Sequence, residues 1–142
     1  MIRLWDERRA MKTIGQRIRE DKIRIESEYA EANPNMGDEK WQANHYKVIL
    51  KRKGKQLTTF FSMGLAHTQE PTAEDVLNSL ASDAAGIENA RSFEDWCNHY
   101  GYDTDSRRAE KTFNVCERQA EKLKSFLGEE LYKQYLFNTE SL

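Results

Sequence analysis

The feature that most restricts the fold of this chain is a hairpin pattern between residues 46 and 63. Tyr46, Val48 and Leu50 alternate with Lys47, Ile49 and Lys51, the period of two that turns successive side chains to opposite faces of a strand. Arg52-Lys53-Gly54-Lys55 follows, with a glycine able to take the positive φ of a tight turn. Gln56 to Met63 returns, with Leu57, Thr59 and Phe61 on one face and Thr58 and Phe60 on the other. Upstream, Ile23, Ile25, Ser27 and Tyr29 alternate with Arg24, Glu26, Glu28 and Ala30, which predicts a third strand over 22–30. The expectation is a three-stranded antiparallel sheet with one apolar face. Its other face is mixed, carrying Ile49 and Phe60 among polar residues.

The remainder reads as helical, so the predicted class is α+β: an N-terminal antiparallel sheet followed by three to four helices packed on one face. Thr72-Ala73-Glu74-Asp75 resembles a capping box just after Pro71, and Val76, Leu77, Leu80, Ala81 and Ala84 form a stripe expected to stop near Gly86. Ser92-Phe93-Glu94-Asp95 repeats the pattern ahead of Phe93, Trp96, Cys97 and Tyr100, with Gly101 at the exit. Asp103-Thr104-Asp105 offers caps for a longer helix whose seam is Ala109, Phe113, Cys116, Ala120, Leu123 and Leu127, ended by Gly128. Leu131, Tyr132, Tyr135 and Leu136 make a last amphipathic segment. At the other end, Leu4, Trp5, Met11, Ile14 and Ile18 predict a helix over 3–19, with Gly15 as its weak point. A chain starting at Met11 would read MKTIGQRIRED, so residues 1–10 are expected to be a dispensable extension. The expected organisation is a single domain over 1–142: an N-terminal helix or extension (1–19), a sheet region (22–64) and a helical region (72–137). The sheet face of Ile23, Ile25, Val48, Leu50, Leu57 and Phe61 is expected to pack on Val76, Leu80, Trp96, Phe113 and Leu123.

At 142 residues the chain has the length of one domain, able to bury about 68% of its unfolded surface. No apolar run approaches the roughly 20 residues a membrane helix needs, and the start, MIRLWDERRAMK, lacks a signal-peptide core. Both point to the cytoplasm and away from a membrane. Cys97 and Cys116 are too few for a disulfide framework and sit on apolar stripes, as small buried hydrophobes do. The net charge of −2 hides a strong division. Residues 1–25 carry +4, residues 26–44 carry −4, residues 45–65 carry +5 and residues 66–105 carry −8.

Reactive chemistry has little to stand on. There is no glycine-rich phosphate loop, HExxH, CxxC or EF-hand pattern. His67 with Glu70 and Glu74 could bring three metal ligands to one helix start, but a loop histidine is the plainer reading. Cys97 and His99 lie two apart on a predicted helix and so cannot face each other as nucleophile and base. The expectation is a protein that is not an enzyme and uses no cofactor or metal. Two surfaces remain. Glu70, Glu74, Asp75, Asp83, Glu94, Asp95, Asp103 and Asp105 form an acidic partner-binding candidate, weighed against helix caps and a solvated face. Lys47, Lys51, Arg52, Lys53 and Lys55, flanked by Trp41, His45 and Tyr46, form a nucleic-acid candidate in which bases stack and phosphates pair. Lysines on an edge hairpin also guard against aggregation, and that reading weighs more.

The run HYKVILKRKGKQLTTFFSMG, then EPTAEDVLNSLASDAAG, then SFEDWCNHYGYDTDSRRAEKTFNVCERQAEKLKSFLG resembles a family of small accessory proteins carried by bacteriophages and prophages. The likeness covers about residues 20–128 and transfers no catalytic residue. It implies a phage protein made in a bacterial host cell. By analogy of context such proteins act stoichiometrically on host machinery, as inhibitors of CRISPR–Cas and other defence complexes do. The leading expectation is an anti-defence protein of anti-CRISPR type whose acidic surface docks on the basic channel of a host ribonucleoprotein. The alternative is a nucleic-acid-binding accessory protein using the basic hairpin. A homodimer is a further expectation, through the 109–127 seam or the C-terminal Tyr/Leu stripe.

Overall fold

The computed structural model of the protein describes residues 13–30, 45–61 and 70–140. In order these form α1 (Ile14–Asp21), β1 (Arg24–Ala30), β2 (His45–Arg52), β3 (Lys55–Phe61), α2 (Ala73–Asn89), α3 (Phe93–Tyr100), α4 (Arg107–Leu127) and α5 (Glu129–Glu140). The α+β class follows directly. The chain divides into two compact units, Gly15–Leu77 and a helical one from Asn78 onward, with the division inside α2.

In the first unit the strands are antiparallel in the order β1-β2-β3. The register aligns Ile25 with Leu50 and Leu57, Ser27 with Val48 and Thr59, and Tyr29 with Tyr46 and Phe61. That row is the buried face. Val48 and Leu50 are fully enclosed, Leu57, Tyr46 and Thr59 are buried, and Ile25 and Phe61 are half-buried. Tyr29 and Tyr46 meet edge to face at 5.5 Å, a cross-strand aromatic pair. The reverse face carries Arg24, Lys51 and Gln56, then Glu26, Ile49 and Thr58, then Glu28, Lys47 and Phe60. The two-residue loop between β2 and β3 has φ 47° at Lys53 and 78° at Gly54. Two left-handed residues in succession match the right-handed twist of the flanking strands.

The predicted N-terminal helix ends later than expected, at Asp21, and its residues 3–12 lie outside the described residues. The strand expected from residue 22 starts at Arg24, because Lys22 and Ile23 form the helix exit. Lys22 adopts φ 55°, its N–H donates to the Arg19 carbonyl at 3.4 Å, and the Ile23 N–H donates to the Ile18 carbonyl at 3.1 Å. That is a Schellman exit with lysine where glycine is usual. Lys22→Gly is therefore expected to stabilise the protein by about 0.5–1 kcal/mol, net of glycine's extra unfolded-state entropy. A raised urea midpoint with an unchanged slope is the signature, and a lowered midpoint would refute the strain.

Helix starts in the second half follow from short polar side chains. At the start of α2, Thr72 Oγ1 accepts the Asp75 N–H at 3.1 Å and Asp75 Oδ2 accepts the Thr72 N–H at 3.0 Å, a reciprocal capping box. Ser92 caps α3 by accepting the Asp95 N–H at 3.1 Å. The cap of α4 is Ser106, which accepts from Ala109 at 3.3 Å, rather than Asp103, Thr104 or Asp105. Asp103 Oδ1 is instead engaged in a local turn with the Asp105 N–H at 3.1 Å.

Two features of the helical unit correct the expectations. α2 does not stop near Gly86 but runs to Asn89. Trp96 and Phe113, expected against the sheet, belong to an aromatic cluster among the helices. Trp96, Cys97 and Ala109 are its buried centre, with Phe93, Tyr102, Phe113 and Cys116 packed around them. Trp96 stacks on Tyr102 at 5.2 Å and 3°, and meets Phe113 edge-on at 5.3 Å and 68°. The α4 stripe gains Phe126, buried beside Leu123 and Leu127, and α5 buries Tyr132, Tyr135 and Leu136. Tyr132 Oη donates to Glu88 Oε1 at 2.8 Å, tying α5 to α2. Burial and that bond to a carboxylate push the phenol well above the usual tyrosine range.

Candidate functional site

The basic candidate lies at one end and on the reverse face of the sheet. Lys47 is exposed opposite Glu28 and Phe60, and Lys51 makes a 2.8 Å ion pair with Glu26. Arg52 and Lys55 close the pair at the turn, where Lys53 and Lys55 are exposed. Register adds Arg24, which pairs with Lys51 across β1 and β2, so a cation from a distant part of the sequence joins the cluster. Of the aromatic side chains expected for base stacking, Tyr46 does not share the lysine face. Tyr46 is 5% exposed and points with Val48 and Leu50 into the buried face, because strand alternation puts it opposite Lys47. Trp41 lies outside the described residues. Phe60, opposite Lys47 on the lysine face, is half-buried.

The acidic candidate divides between the two units. Glu70, Glu74 and Asp75 belong to Gly15–Leu77, while Asp83, Glu94, Asp95, Asp103 and Asp105 belong to the helical unit. Asp75 is committed to its capping box, and Asp95 Oδ2 accepts the Arg91 N–H at 3.0 Å. Part of the acidity therefore organises helix starts. The helical unit is nonetheless rich in acid: residues 78–105 hold six carboxylates, Asp95 among them, against Arg91 alone. Its field is felt by buried groups. The Cys97 thiol is fully enclosed, and burial first, then the carboxylates of Asp103 and Glu94, push its pKa up. A thiol so placed stays protonated and is a poor nucleophile. His99 is exposed on the same helix, two positions on.

This acidic region contains a cleft of about 280 Å³ between α2 and α3. Ser82, Gly86 and Asn89 line one side, and Asp95, Trp96, His99 and Tyr100 line the other. Its shape depends on Gly86. A β-carbon there would stand 2.1 Å from Tyr100 Oη and 3.0 Å from Cζ, so only glycine lets the phenol lie against α2. This is why the helix keeps a residue that weakens helices. Tyr100 remains 46% exposed, with Trp96 at 5.2 Å and His99 edge-on at 4.8 Å. Partial burial first, then Asp83, then Cys116, push its pKa up. The sequence places Tyr100 on the apolar stripe of α3 and does not single it out as a site residue. The available signal was the i, i+4 spacing of Trp96 and Tyr100 opposite the small pair Ala85-Gly86.

His67, of the metal trio, lies outside the described residues, and among the described residues no three side chains are grouped to hold a metal ion. No described helix is long and apolar enough to cross a membrane. Comparison with protein-family models, with curated proteins and with solved structures finds no match.

Proposed function

We propose that the protein is a stoichiometric binding protein of the anti-defence type, encoded by a phage and acting on a host nucleoprotein through its acidic helical unit. The observation that carries this reading is the six-to-one excess of carboxylates over residues 78–105, a segment that also lines an aromatic cleft. Such a surface is complementary to a basic nucleic-acid channel. Opposite fields speed the encounter, while aromatic groups supply affinity once water is excluded.

Asp83→Lys with Glu94→Lys tests it without touching the caps at Asp75 and Asp95. The tagged protein is expected to retain a nucleic-acid-handling host protein from lysate, and the double reversal to release it with an unchanged circular dichroism spectrum. Equal retention by the two proteins rules the acidic surface out. A second reading is favoured by the register that sets Arg24 beside Lys51 at the end of the basic hairpin. There the protein binds nucleic acid by its phosphates. A gel shift that weakens steeply with salt supports this reading, and absence of a shift at micromolar protein removes it.

A further inference from the structure

We infer that the cleft between α2 and α3 is a receptor for an arginine side chain presented by a partner protein. The inference deepens the acidic-surface reading and rests on it for the partner, though not for the chemistry of the cleft. Three observations converge. The cleft is lined by two aromatic residues, the accessible Tyr100 and the buried Trp96, whose ring centres lie 5.2 Å apart. Aromatic faces attract cations through their quadrupole. A carboxylate lines the cleft: Asp95 is exposed, and its Oδ2 accepts the Arg91 N–H at 3.0 Å. The local field is negative, since Asp83 acts on the Tyr100 phenol and Asp103 and Glu94 act on Cys97, the residue after Trp96.

A flat guanidinium suits this combination better than an ammonium. It stacks on a ring while its fork of N–H donors meets a carboxylate on one wall and the neutral hydroxyl of Ser82 on the other. A lysine head group is a compact, strongly hydrated point charge that gains little from a ring stack. Gly86 preserves the receptor by keeping Tyr100 against α2, so the helix-weakening residue and the accessible ring belong to one device.

The test is a nitrogen-15 amide titration of the full chain with N-acetyl-arginine amide, its lysine counterpart and the neutral citrulline isostere. Saturable shifts confined to residues 82–100 are expected with the arginine compound at millimolar concentration. Binding should be at least threefold weaker with lysine and absent with citrulline. Asp83→Asn should weaken the arginine compound severalfold, and Gly86→Ala should abolish its binding by displacing Tyr100. Should Gly86→Ala fail to fold, Tyr100→Ala serves in its place with the same expected loss. Equal binding of citrulline, lysine binding as tight as arginine, or shifts outside 82–100 each overturn the inference. Arginine binding in the cleft without lysate capture would retire the anti-defence reading and leave the receptor standing. Capture without arginine binding would do the reverse.

Discussion

Trp96→Ala is expected to cost about 3–5 kcal/mol, a large share of the roughly 5–15 kcal/mol that holds a domain folded. Trp96 is 3% exposed and is the hub of its cluster: Phe93, Tyr100, Tyr102 and Phe113 all lie within 6.5 Å of its ring. Its removal leaves a void with four rings around it that cannot all close in, because each is fixed by its own backbone. Phe113→Ala is the control, since Phe113 is half-buried and, among the described rings, meets Phe93 and Trp96. It should cost clearly less than Trp96→Ala. Urea unfolding of both variants decides the point. Equal losses would mean that Trp96 is not the centre of the helical core.

Leu50→Ala should cost about 2–5 kcal/mol. Leu50 lies on the central strand with Ile25 on one flank and Leu57 on the other, and no part of it reaches solvent. Its neighbour Ile49 faces the other way, between Glu26 and Thr58, and is half-buried. Ile49→Ala should therefore cost no more than about half as much. The contrast between adjacent residues measures the register itself, because a slip by one residue would exchange their faces. Similar midpoints for the two variants in urea would overturn the pairing.

Much of the fold was readable from the residues alone because it rests on local periodicity. The alternation through Tyr46, Val48 and Leu50, the turn at Lys53-Gly54 and the return through Leu57 and Thr59 specify a hairpin and its inward face without reference to anything distant. The capping box at Thr72 and the serine cap at Ser92 are equally local, being bonds between residues three apart. Errors fell where a local signal had two readings. Gly86 resembled a helix stop, and only the phenol of Tyr100, fourteen positions later, shows why the helix passes through it. Asp103 and Asp105 resembled caps, but Ser106 stood closer to the helix and Asp103 turned to its own neighbour.

The candidate sites were less legible, since a binding surface is defined by which residues meet and not by their types. The sequence by itself determined the two-faced sheet, the succession of helices and the separation of basic and acidic segments. These depend on period, caps and composition, which are properties of neighbouring residues. Tertiary structure alone decided that Tyr46 is core and not a stacking platform, that Arg24 joins the basic hairpin, and that Tyr100 and Asp95 open on one cleft against Gly86. Each of these needs the distance between groups far apart in the chain, and that distance is set by packing.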